Sequence, residues 1–426
     1  MKFKAQLFLF ILLNTLHGQV DYTSQIQTIF SSDCTGCHGN SGGLNLTSYS
    51  NLMAGGNSGA VIVANDHANS LLWQKVNTGE MPQNNPALPQ SQIDLIALWI
   101  NEGALEFPAV VAKTYVPDDN FEQALIDLGY DDALDDSVLT ANISSVTTLN
   151  VSNDSISDLT GIEDFTALTT LFCSNNALTA LDISSNTALI NFDGGYNSLT
   201  SLDVSSNTAL TGLGCYSNEL TSLDVSNNTA LIALQLQSNS LTSLDISSNI
   251  ALDHLTVQNN QLTSLDVSNN TALTTLKCSD NQITALDVSA NTALTVLRCQ
   301  NNQLTSLDVS DHTALTHLYC YGNQLTSLDV SANTALTTLY CHNNYLTSLD
   351  ISGATALDQL YCNENQLTSL DVSTNTALDT LSCYNNQLTS LDVSGATALE
   401  YLRCYENQLT SLDVSGATAL IRLECY

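Results

Sequence analysis

The stretch SSDCTGCHGN, Ser31 to Asn40, sets two thiols and an imidazole almost side by side: Thr35 and Gly36 separate Cys34 from Cys37, and His38 follows at once. Three chemistries use such a group. In a c-type haem site both thiols add to the vinyl groups and the adjacent histidine ligates the iron. A zinc site needs a second ligand pair, and no further Cys or closely spaced His pair occurs before Cys173. A redox dithiol calls for a βαβ setting, and no such pattern surrounds the motif. The Cys-x-x-Cys-His order therefore points to covalent attachment of one haem through Cys34, Cys37 and His38.

The elements that must position these groups lie within residues 19–107. Ile26, Ile29 and Phe30 form an apolar stripe leading into Cys34, and Ile93, Leu95, Ile96, Trp99 and Ile100 form a second one ending at Gly103. Two helices flanking a loop-rich middle describe a small all-α domain. The helix before the motif, the GEMP turn (Gly79 to Pro82) and the closing IDLIALWINEGA helix occur in the order of small cytochromes c, and the segment resembles that family. The resemblance implies haem c as cofactor, His38 and Met81 as axial iron ligands, and one-electron transfer to or from a redox partner protein. Met53, in a glycine-flanked loop without a following proline, and His67, at a turn before a helix, are the competing sixth ligands.

From Leu168 to the end the chain repeats every 21 residues, with Leu at 168, 189, 210 and on to 420: twelve full repeats and a truncated thirteenth over residues 168–426. A period of this length predicts a solenoid, each unit burying its apolar face only against its neighbours. In the copy LTTLYCHNNYLTSLDISGATA, Leu336 to Ala356, alternation puts the second Leu and the Cys on the inward face of a short strand. The Asn column from Asn176 to Asn407 falls where the chain turns out of that strand, its amide free to satisfy turn backbone groups. The pattern L-x-x-L-x-C-x-x-N-x-L closely resembles the leucine-rich repeat family in its short, bacterial, internalin-like form. The fold expected is thus a small all-α cytochrome c domain followed by a leucine-rich-repeat solenoid, with a parallel β-sheet on one face and mostly irregular or short 3-10 turns on the other. Residues 118–167, with twelve acidic residues, no basic one and Phe121, Leu125 and Leu128 at helical spacing, read as the solenoid's N-terminal cap; the proline-bounded 108–117 reads as the linker.

Ten cysteines share one repeat position, from Cys173 to Cys425, where the only alternatives are Gly194, Leu236 and Val257. A position open only to small or apolar residues predicts reduced, buried packing thiols. Twelve aspartates, Asp182 to Asp413, recur in LTSLDV, and two readings stand: a calcium-binding stripe, or an outward ladder whose carboxylates bond the next turn's backbone amides. The outward sheet positions hold all four basic residues of the repeats and ten of their eleven tyrosines. Tyr319, Tyr321, Tyr340, His342, Tyr361, Tyr384, Tyr401, Arg403 and Tyr405 gather toward the C-terminal half. Tyrosine offers large contact area at small entropic cost, so these nine residues are read as a face for a protein or glycan ligand.

Net charge is −34, with eight Lys+Arg against 42 Asp+Glu; a nucleic-acid partner, which needs clustered basic residues, is excluded. Lys2 and Lys4 precede the apolar run Leu7 to Leu13 and a short tail to Gly18, the layout of a signal peptide over residues 1–18. That run is too short to span a bilayer, so an exported chain is expected, periplasmic, surface-held or secreted, without a transmembrane segment in its mature form. The last residues, Cys425 and Tyr426, lie inside a repeat, so a capping or anchoring domain beyond them, or pairing with another copy, is expected. The function implied is electron transfer by a haem domain joined to a binding module rather than catalysis; the alternatives are an adhesin with a vestigial haem domain and the haem subunit of an oxidoreductase or peroxidase.

Overall fold

The computed structural model describes residues 19–39, 43–83, 85–107 and 111–426. The signal-peptide stretch 1–18 lies outside them. Two compact units divide between Val111 and Ala112.

The first unit is helical. A π-helical turn, Tyr22–Ile26, runs into α1 (Gln27–Asp33); after it come the single turn α2 (Thr35–His38), α3 (Tyr49–Ala54), α4 (Leu71–Asn77) and α5 (Gln90–Asn101). The two apolar stripes meet in the core: Ile26, Phe30, Ile96, Trp99 and Ile100 are all buried. Tyr22 joins them, its ring centroid 5.2 Å from those of both Trp99 and Tyr49. The polar atoms of these large rings find carbonyl partners, as burial requires: Trp99 Nε1 donates to Leu105 O at 2.8 Å and Tyr49 Oη to Ala104 O at 2.9 Å. Both acceptors sit just past α5, so the end of the chain segment is fastened to α5 itself and to α3.

In the second unit, β1 (Lys113–Tyr115) pairs antiparallel with β2 (Ser137–Leu139), and α6 (Asp119–Asp127) and the short α7 (Thr140–Ile143) pack beside them. Part of the stretch expected as linker is therefore folded into this unit, with Thr114 and Val116 buried; three residues are too few to show a period. Asp118 fixes the start of α6. Its Oδ1 accepts from the amides of Asn120 and Phe121, and its Oδ2 from the amides of Ser157 and Asp158 and the Ser157 hydroxyl.

A 14-stranded parallel sheet follows in strict chain order, from β3 (Thr148–Asn150) and β4 (Thr170–Phe172) through three-residue strands to β16 (Arg422–Glu424). It begins one coil earlier than the 21-residue period, because Thr148–Asn150 pairs with Thr170–Phe172 across a 22-residue step. Register is exact to the residue: Leu276, Leu297, Leu318 and Leu339 are successive partners. In one coil Leu294, Leu297, Cys299, Leu304 and Val309 are fully buried, each such aliphatic contributing about 2 kcal/mol. The ladder thiols lie in this core. Desolvation pushes Cys278, Cys320 and Cys362 up to about 12, and from Cys173 to Cys404 they are free and buried, in keeping with packing groups.

Two asparagine columns close each coil. Asn302 donates to Cys299 O of its own coil and to Cys278 O of the preceding one, both at 3.0 Å, and accepts from the preceding coil's Ile283 amide at 3.0 Å. The second column, which the sequence analysis does not single out, is the Asn of the Asn-Thr-Ala-Leu segment: Asn291 is fully buried and donates to Val267 O (3.0 Å) and Asn270 O (2.9 Å). His312 stands in for it once, with Nε2 3.1 Å from Val288 O. Where alanine replaces it, as at Ala354, the residue before is glycine; a Cβ on Gly353 would lie 1.6 Å from Ser331 O, so the coils close over the missing amide.

The aspartate ladder bonds within its own coil rather than to the next turn. Asp224, Asp245 and Asp266 each accept from the amide of the serine two residues on, at 2.9 Å. An Asx turn of this kind satisfies the turn locally.

Two predictions follow from these columns. Asn302→Ala strands two carbonyls and an amide at the buried edge of the coil and should cost about 2–4 kcal/mol, read as a lowered urea midpoint; an unchanged midpoint would show that the staple carries no net stability. The serine amides hold Asp224, Asp245 and Asp266 below the ordinary carboxylate value. A depressed folded pKa gives stability that is present above the unfolded value of about 3.9 and is lost as pH falls through the folded one. The unfolding temperature should therefore drop below about pH 4, and less steeply when these three become Asn; equal slopes would refute the contribution.

Candidate functional site

The motif residues sit at the junction of α1 and α2. Cys34 closes α1, its amide donating to Phe30 O at 2.9 Å, and the next turn is short because Cys37 and His38 both donate to Cys34 O (3.2 and 2.9 Å). The following loop is pulled back over the motif by Leu46, whose amide donates to His38 O at 2.8 Å, and by Gln27, whose Nε2 donates to Leu46 O at 2.9 Å.

This folding opens a cavity of about 450 Å³. Cys34, Cys37 and His38 line it together with Met81, and its apolar wall includes Phe30, Leu46, Val61, Leu72 and Val76. Met81 is carried there by the turn after α4, its amide donating to Lys75 O at 3.1 Å. The competing ligands are elsewhere. Neither Met53 nor His67 lines the cavity; Met53 is 37% exposed, and His67 Nδ1 lies 2.9 Å from Asn101 Oδ1 with its ring edge-on to Trp73.

The donor set suits a haem. His38 is half-buried and its Nδ1 is enclosed without a hydrogen-bond partner. Two thiols, an imidazole and a thioether converge on one apolar volume, the combination used to hold c-type haem. A redox dithiol would need a depressed thiol. Burial, reinforced by the Asp33 and Cys37 charges, instead pushes Cys34 up to about 11.

On the solenoid, the outward tyrosines form columns because register repeats each offset from coil to coil. Tyr319, Tyr340 and Tyr361 are successive strand partners, their centroids 4.9 and 4.4 Å apart, and Tyr321 stacks on His342 at 4.4 Å with an 11° interplanar angle. Tyr340 Oη donates to Gln359 at 2.8 Å. The Arg298 guanidinium lies 4.6 Å over the Tyr319 ring and extends the patch by one coil. Tyr384 and Tyr405 form a second stack, 4.5 Å apart, separated from the first by buried Asn363 and Ser382 and continued by Tyr426 at 4.8 Å. Tyr401 is exposed in a neighbouring column, and Arg403 is tied to Glu424 at 3.5 Å. The nine residues thus form two patches, and Arg298 and Tyr426, which share their offsets, join them.

Residues 34–84 match a family model described as planctomycete cytochrome C, and residues 271–312 and 313–353 match leucine-rich-repeat models. Internalin J of Listeria monocytogenes is 40% identical over 73 residues, a match spanning 17% of this chain and 8% of that protein. The solved functional domain of Internalin J, described as including a cysteine ladder, is 37% identical over 74% of this chain and 76% of that one, with a TM-score of 0.63. An internalin, inlF, from the same organism shares the fold at 24% identity, a TM-score of 0.67, and coverage of 72% of this chain and 94% of its own. The chain belongs to the internalin-like leucine-rich-repeat proteins, with a cytochrome c-like domain ahead of its repeats.

Proposed function

We propose that this chain is an exported electron-transfer protein that uses its repeats to choose where it works. The observation that carries the reading is the apolar cavity bounded at once by the CTGCH turn and by Met81. Cys34 and Cys37 would anchor one haem c through thioethers, and His38 and Met81 would ligate its iron. Bound there, the haem supplies a reversible one-electron couple, which methionine ligation shifts to higher potential. The protein's own part is to exclude water with Phe30, Leu46, Val61 and Leu72 and to hold the ligand turns in place through Leu46, Gln27 and Lys75 O. Residues 19–107 carry one lysine against seven acidic residues, a charge that favours a redox partner with a basic docking face.

The repeat face supports a protein partner. Its rings lie against one another, so they offer edges and hydroxyls beside Arg298 and His342, a composition typical of protein-binding centres. Glycan binding on the same columns is the alternative ligand. Export rests on the layout of residues 1–18, and the described residues contain no helix long and apolar enough to cross a membrane.

Protein matured with the haem-attachment machinery should show covalent haem with a low-spin reduced spectrum and, when oxidised, a methionine–iron charge-transfer band. Met81→Ala should remove that band while the haem stays attached; its persistence would assign the sixth position elsewhere, and a high-spin wild-type spectrum would favour a peroxidase-like site. For the repeats, Tyr340→Ala with Tyr361→Ala should weaken a purified protein partner by more than about tenfold, or 1.4 kcal/mol. Unchanged affinity would move the binding site off these columns.

A further inference from the structure

The cap of the solenoid holds a buried carboxylate that the fold does not explain. Glu122, in the first turn of α6, is completely buried. Its Oε1 is fixed by two backbone amides, those of Asp135 (3.0 Å) and Ser137 (2.9 Å). Its Oε2 is enclosed and has no hydrogen-bond partner at all. Carboxylate oxygens of Glu122, Asp119 and Asp136 lie within 4.8 Å of one another.

Among the described residues no cation is paired with Asp119, Glu122 or Asp136. A buried carboxylate set against two further carboxylates without a counter-charge costs several kcal/mol in a poorly solvated site. Lys113, on β1, is committed elsewhere: its Nζ is bonded to Asp135 Oδ2 (3.0 Å) and Ser137 Oγ (2.8 Å). A fourth carboxyl, Asp131, has an enclosed and unpartnered Oδ2 of its own, and burial, with Glu122 the first of its repelling neighbours, raises it above the ordinary carboxylate value.

A hard divalent cation satisfies the Asp119, Glu122 and Asp136 carboxylates together. Calcium takes carboxylate oxygens at about 2.3–2.6 Å, so two oxygens on one ion lie up to about 5 Å apart, as these do. Magnesium, at about 2.0–2.1 Å with a rigid octahedral shell, suits so wide a trio less well. We propose that Asp119, Glu122 and Asp136 form a calcium site that joins the first turn of α6 to the loop entering β2 and so locks the cap of the solenoid. Backbone carbonyls and water complete the ion's shell. In this reading the cap is fully rigid only where free calcium is abundant, as outside the cell.

The full-length protein, stripped with EGTA and dialysed, should bind one calcium ion per chain in equilibrium binding with 45Ca2+, and its unfolding temperature should rise when 1 mM CaCl2 is added, a concentration in the range of about 10⁻⁴–10⁻³ M typical of extracellular modules. Glu122→Gln, which can still accept from the Asp135 and Ser137 amides, should abolish binding. Asp119→Asn and Asp136→Asn, both at exposed positions, should fold normally and each weaken binding at least tenfold. The assignment is overturned if wild type takes up no calcium at 1 mM. It is equally overturned if the Asp119→Asn/Asp136→Asn protein binds like wild type, which would place the ion on the aspartate ladder, or if only magnesium binds.

Discussion

From β3 to β15 each coil of the solenoid leaves its strand through a residue in the left-handed region: Asn259, Asp280, Asn301 and Asn343 have φ between 53° and 55°, and Gly322 takes the same place at 65°. For residues with a side chain this conformation is costly, which is why asparagine, aspartate and glycine predominate there. The sharp turn also aims carbonyls and an amide into the interior. The following asparagine answers that demand, gathering Cys278 O, Cys299 O and the Ile283 amide onto one side chain in the case of Asn302. The sheet, the buried leucines and the thiol column can be stacked without slippage because that side chain measures the gap between coils. The outward tyrosines inherit their spacing from the same constraint, and so their ring contacts are set by the backbone rather than by one another.

Much of this architecture was legible in the sequence because repetition amplifies weak signals. One Leu-x-Cys says little; ten in register fix the inward face, the sheet and the burial of the thiols from Cys173 to Cys404. The columns of Tyr and Arg followed from the same alternation. What stayed hidden was what the pattern could not weigh. The Asn of the Asn-Thr-Ala-Leu segment carries no chemical signal of its own in the pattern, yet Asn291 is as buried as the leucines around it. The aspartate column was placed correctly, while its partners, serine amides two residues on, depend on local turn geometry that spacing does not encode. Lys113–Tyr115 was assigned to a linker because three strand residues have no measurable period and their partner lies more than twenty residues away.

The first unit shows the opposite balance. Cys34, Cys37 and His38 were evident as a local motif, and the two flanking helices as apolar stripes. Their relation to Met81 needed the fold, since more than forty residues intervene and only the turn after α4 brings the thioether to the same volume. The competing side chains, Met53 and His67, are equally good ligands by type. Position alone separates them: one is turned to the surface and the other engaged with Asn101 and Trp73.

The asparagine staples also have a direction. Asn302 completes hydrogen bonds of the coil before it, Asn323 does the same for the coil of Asn302, and none reaches forward. A newly made coil is therefore left with open carbonyls until the next 21 residues arrive to close them. The polarity of the staples runs in the direction in which the chain is synthesised, from its N-terminus. Each repeat is thus the finishing piece of its predecessor and the unfinished template of its successor.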